Sequence, residues 1–266
     1  MGRFTNKKTP DENRENHTMK CTSLFVDRKM GRRFLLTILA VMCLIFSTFL
    51  QPVLHNLQQS GNFFQGYHDE LISKALSSST FSAFVPVLAV IPFAARYLED
   101  VKSKFARFYL IRGSYSGYIL DLLAVCWLCG GGVALLGCLG AWGVTTLMFT
   151  PMERVTENYV SIAPQMAGRL VLLFLNGGLW AVLGMTMSTI MESKYIAYAS
   201  PFIVYYLLVI LYERYFPNAW LLYPKNWLDP EIWPYGVGSA ALFLLELTFL
   251  CGLVFYIRGK RRLEQL

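Results

Sequence analysis

Histidine is almost missing from this chain: its three copies, His17, His55 and His68, all fall outside the long apolar runs. Neither H-E-x-x-H nor G-x-S-x-G occurs, so no metal or nucleophile constellation for hydrolysis inside a membrane is indicated. The G-x-x-x-x-G-K-[ST] phosphate loop is missing too, which excludes ATP binding by that route. Charge is scarce: 15% of residues are Asp, Glu, Lys or Arg, against 55% hydrophobic. That balance is too apolar for an ordinary soluble domain of this length. No catalytic motif and no metal site are expected.

What the chain does have is six long apolar runs, at 34–54, 80–97, 119–148, 170–191, 197–212 and 236–257. A hydrocarbon core about 30 Å thick needs about 20 apolar residues in a helix, and each run is near that length. Threaded as a serpentine with both termini on one face, the chain puts 19 basic residues on that face and 5 on the other. The five are Lys74, Arg154, Arg169, Arg214 and Lys225. The positive-inside rule then predicts cytoplasmic termini in a cell-membrane protein. The net charge of +7 sits in these short flanks, where it orients spans and meets anionic headgroups, so nucleic acid is not the expected partner.

The six cysteines (Cys21, Cys43, Cys126, Cys129, Cys138 and Cys251) fall in spans or on the cytoplasmic side, and no disulfide framework is indicated. Cys126-x-x-Cys129 has the spacing of a redox or metal pair. It lies in an apolar run without a second pair or a nearby histidine, and reads as helix packing. About thirty mostly polar residues precede the first run and Gln51-Pro52-Val53 closes it, unlike a cleaved signal, so that run is expected to stay as an anchor.

The expected organisation is a disordered cytoplasmic tail over 1–18, an amphipathic interfacial helix over 19–33, a six-span domain over 34–262 and a short tail over 263–266. No internal repeat is seen, so the inverted-repeat signature of many secondary transporters is lacking. Between the second and third runs, Glu99 and Asp100 precede Lys102, Lys104 and Arg107, an order that complements a helix macrodipole. Val101, Phe105, Phe108 and Tyr109 form one apolar stripe, and Gly113 supplies a stop. A short amphipathic helix at the cytoplasmic face follows. It would lie on lipid or serve as a lever for a soluble subunit. Between the fifth and sixth runs, four prolines (Pro217, Pro224, Pro230 and Pro234) alternate with Tyr and Trp, which predicts short broken helices at the outer interface.

Taken in order, these features resemble the membrane subunit of ABC-2 type transporters. The local sequence carries the same likeness. Val85-Pro86-Val87-Leu88-Ala89-Val90-Ile91-Pro92-Phe93-Ala94 leads into Arg96, Glu99 and Asp100, and then into Arg112-x-Ser114-x-x-x-Tyr118. One departure stands out: Leu122, beside Asp121, occupies a place where such permeases often carry a lysine. The resemblance spans 19–262. It implies an exporter subunit that carries no ATPase and forms a homo- or heterodimer with a second permease chain. ATP and Mg would bind a separate cytoplasmic ATPase subunit. It also implies a coupling helix over 99–112, including Glu99, Asp100, Lys102, Lys104, Phe105, Arg107 and Arg112. A smaller contact would form at Glu192-Ser193-Lys194, with Glu192 and Lys194 its charged members.

Inside the runs, ionisable groups are the remaining functional candidates, because a charge at the bilayer centre costs at least about 2.5–3.5 kcal/mol. Glu246 lies near the middle of the sixth run. It would line a transport path or pair with a polar group such as Asn176. The glycines of the third run, from Gly130 to Gly143, suit close helix packing or a hinge. Two other classes stay open: an ion-gradient-driven secondary transporter, and a non-transporting membrane assembly or immunity partner.

Overall fold

The computed structural model describes residues 28–59, 63–103, 115–154 and 163–264. They form eight helices: α1 Arg28–Gln59, α2 Tyr67–Leu76, α3 Ser79–Val90, α4 Arg96–Lys102, α5 Tyr115–Phe149, α6 Ala163–Met191, α7 Lys194–Ile210 and α8 Val237–Glu264. Five of them are long and apolar enough to cross a membrane, and the bent pair α2–α3 makes a sixth if counted as one span. The fold is therefore all-helical and compatible with a multi-pass membrane location. A two-residue parallel pairing, Phe63–Phe64 (β1) with Glu153–Arg154 (β2), ties the end of α1 to the end of α5.

The apolar runs set these helices, but their limits differ. Residues 28–33, assigned to an interfacial helix, continue without a break into α1. Residues 19–27 lie outside the described part. The helix at α5 runs for 35 residues, about 50 Å at 1.5 Å per residue, well beyond a bilayer core. The second run is not one rod. Just ahead of it, three serines, Ser77–Ser79, end α2 and start α3 with a 69° bend. Ser78 caps α3 by accepting from the Phe81 N–H. At the other end, Pro92 lies in a turn over 91–95 that separates α3 from α4. The proline-aromatic segment forms the expected short broken pieces: a π-helical turn at Leu211–Tyr215 and 3₁₀ turns at Trp220–Leu222, Pro224–Leu228 and Pro230–Ile232.

At the centre stands α6, with 72% of its most apolar stretch buried, against 24% for α1 and 22% for α7 and for α8. It meets α5 backbone to backbone. A Cβ added at Gly177 would sit 2.7 Å from the Gly130 carbonyl oxygen, and one at Gly130 would sit 2.8 Å from the Gly177 oxygen. Neither fits, so these glycines serve close packing. On one flank Phe63 and Tyr67 each pack edge to face on Phe149, and tilted against each other, beneath α1. On the other, Trp180 of α6 stacks on Trp227 at 5.8 Å, joining the broken turns to the core. Cys126 and Cys129 are buried within the helix packing, and the Cys126 thiol points at the Ala181 carbonyl.

Candidate functional site

The helix α4 is only seven residues long, and its charges divide between inside and outside. Arg96 and Asp100 stand one turn apart, and Arg96 Nε–H donates to Asp100 at 3.1 Å. Asp100 also accepts the Tyr118 hydroxyl of α5 at 2.9 Å. Its side chain is 7% exposed, so it faces the bundle and not a partner. Burial pushes the Asp100 carboxyl above the usual carboxylate range, with Arg96 and Tyr118 offsetting part of that cost. Glu99 and Lys102 take the outer side. Glu99 lines a small cavity with Arg33, Arg96 and Tyr198.

Lys102 reaches the turn between α6 and α7, where its ammonium donates to the Glu192 carbonyl at 3.2 Å. Glu192 has φ +56°, a left-handed conformation that costs a non-glycine residue about 1 kcal/mol. From that turn its carboxylate meets Arg262 of α8 at 3.2 Å. Tyr97 completes the junction by donating its hydroxyl to the Gly259 carbonyl at 3.2 Å. Exposed Lys194 begins α7, its ammonium 5.4 Å from the centre of the Tyr195 ring. The two segments expected to meet an ATPase thus form one surface through Lys102 and Glu192, fastened to the end of α8. Lys104, Phe105, Arg107 and Arg112 lie outside the described residues.

The pair suggested between Glu246 and Asn176 does not form. Asn176 is buried in α6, and its side-chain oxygen has no hydrogen-bond partner among the described residues. Glu246 is on the exposed face of α8, flanked by exposed Leu242, Leu245, Phe249 and Leu250.

The opposite end carries a polar network that the sequence reading missed. His68 sits between two carboxylates, with Nδ1 2.6 Å from Glu153 and Nε2 3.3 Å from Asp69. Glu153 also accepts the backbone N–H groups of Gly66 and His68. Asp69 accepts the Trp142 indole N–H at 2.8 Å. Burial would raise the Glu153 carboxyl, but these hydrogen bonds outweigh it and hold the group below its usual range. Nearby, Arg169 of α6 donates to Ser73 and reaches Asp229 at 3.5 Å, bridging α2 to the broken turns. Partners more than 80 residues apart leave no local pattern. The only hint was the clustering of polar residues at 65–70 between apolar runs. Among the described residues, no group of three or more His, Cys, Asp or Glu is placed to hold a metal ion.

No protein-family model, curated protein or solved structure matches this chain.

Proposed function

We propose that this chain is the membrane-embedded permease subunit of an ABC-2 type transporter. It works as an exporter, with both termini in the cytoplasm, beside a second permease chain and a separate ATP-hydrolysing subunit. The observation that carries the reading is the contact between Lys102 and Glu192. The family resemblance implies an ATPase contact at both positions, and the bond between them gives them a shared mechanical path. A subunit pressing on the exposed side of α4 also loads the α6–α7 turn, and through Arg262 it loads α8. The break ahead of α4 supports a lever. A turn containing Pro92 separates α4 from α3, while Asp100 and Tyr118 fasten it to α5.

The test is co-purification from the native host in a mild detergent, followed by reconstitution. The expected result is a stoichiometric ATPase subunit whose activity rises when this chain is added back. Recovery of the intact chain with no ATPase, under conditions that keep such complexes together, would overturn the assignment.

A further inference from the structure

A second cavity lies at the other end of the bundle, between the α2–α3 bend and the broken turns. It encloses about 340 Å³ and is lined by Leu76, Ser77, Tyr223, Lys225, Asn226, Leu228, Asp229 and Ile232. That is the size of a small-ligand site. Its charged lining residues are Asp229 and Lys225. Asp229 is its one carboxylate, already engaged by the Arg169 guanidinium and the Glu231 N–H. Lys225 has no carboxylate partner among the described residues. Arg169 thus answers Asp229 and leaves Lys225 as the cation of the lining without a carboxylate, while Glu213 lies near Tyr223. Tyr223 adds a hydroxyl, its ring stacked 4.8 Å from Tyr212. Burial first, and then the Glu213 carboxylate, raise the Tyr223 phenol, which keeps it a hydrogen-bond donor. Leu76, Leu228 and Ile232 give the same space an apolar side.

Depth selects the occupant. Tyr215, Phe216 and Tyr235 of the surrounding segment are exposed, and aromatic residues of that kind seat at the headgroup layer of a bilayer. A cavity at that level, positive on one side and apolar on the other, meets lipid before any soluble solute. We infer that it is a binding site for the phosphate headgroup of an anionic lipid, with Lys225 and the Tyr223 and Ser77 hydroxyls on the phosphate and Leu76, Leu228 and Ile232 on the first methylenes. The inference rests on the membrane placement of this segment and not on the ATPase partnership, so either can fail alone.

The full chain in a non-ionic detergent is titrated calorimetrically with short-chain phosphatidic acid, the matching phosphatidylcholine and inorganic phosphate. Phosphatidic acid is expected to bind saturably at one site per chain and more tightly than the other two. Lys225→Glu should weaken it about tenfold, the loss of one charge-assisted hydrogen bond, while Lys225→Arg retains it. Lys225 is half-exposed, so both variants should melt with the parent. Lys225→Gln repeats the test if the Glu variant melts early. Equal affinity in the charge-removed variant, equal affinity for phosphatidylcholine, or no saturable binding overturns the site. Equal affinity for inorganic phosphate overturns its assignment to lipid.

Discussion

The Lys102 ammonium donates to the Glu192 main-chain carbonyl across a gap of 90 residues in the chain. The bond uses a backbone acceptor, so any residue at 192 that keeps the left-handed turn preserves it. The Glu192 side chain makes a separate contact, with Arg262.

Reversing Lys102 should therefore separate coupling from assembly. With the proposed ATPase partner in proteoliposomes, Lys102→Glu is expected to cut ATP-driven transport about tenfold or more, while expression and melting stay near wild type. An exposed lysine contributes little to stability, typically under about 1 kcal/mol. Unimpaired transport by this variant would remove Lys102 from the coupling surface.

Asp100 should behave in the opposite way. Asp100→Ala leaves Arg96 and the Tyr118 hydroxyl without their shared acceptor, a loss of about 3 kcal/mol for a broken buried pair. A clear fall in melting temperature in detergent is expected. Asp100→Asn, which keeps an acceptor for Tyr118, should lose less. Joint charge reversal at Glu99 and Asp100 would mix a surface effect with a folding defect, so Glu99→Lys is the informative single change.

The α5–α6 contact gives a matched pair of glycine substitutions. Gly130→Ala should destabilise by about 1–3 kcal/mol through overpacking, because its Cβ would meet Ala181 and the Gly177 backbone. Gly143 in the same helix has nothing within 4 Å of an added Cβ. Gly143→Ala should be neutral or raise stability by up to about 1 kcal/mol through helix propensity. Equal melting temperatures for the two variants would argue against the close approach.

Glu153 makes the opposite end sensitive to acid. Its carboxyl lies below the usual 4.5, so its stabilising contribution is complete above that pH and is lost as pH falls through the lower folded value. Glu153→Gln should remove that part of the acid dependence in thermal unfolding between about pH 5 and pH 2. Wild type and variant losing stability in parallel would show that the His68–Glu153 contact does not set the response.

Glu246 has no hydrogen bond or ion pair with any described residue, so Glu246→Gln should leave melting unchanged. A change in transport without a change in melting would assign it to the path or to the contact with a second chain. A fall in melting would point instead to a structural partner for the carboxylate.

The helical class and the presence of five or six long apolar helices were legible because an apolar run of about 20 residues has few other uses. The broken segment before α8 was equally readable, since proline removes a backbone donor wherever it falls. The α2–α3 bend was not. Residues 67–76 fall between the first two apolar runs, and nothing in the serines ahead of the second run announces that one helix ends there and Ser78 caps the next. The inward turn of Asp100 was hidden for another reason. Position in a helix gives its angle about the axis, but only tertiary packing reveals which angle is occupied, here by Tyr118. Lys102 and Glu192 were each marked from sequence, whereas their contact needed the fold.

The burial of α6 has a consequence for how the protein is made. A segment whose Gly130-facing groove and Asn176 are meant for protein surroundings is a poor lodger in lipid by itself. Its neighbour α5 leaves the ribosome first and can supply the matching face, whereas α8 arrives last and closes over the other side. Biogenesis then has an order: a chain arrested after residue 191 should hold α6 through α5 and α3, without α7 or α8, and damage at Gly130 would be felt during insertion, before any cargo is moved.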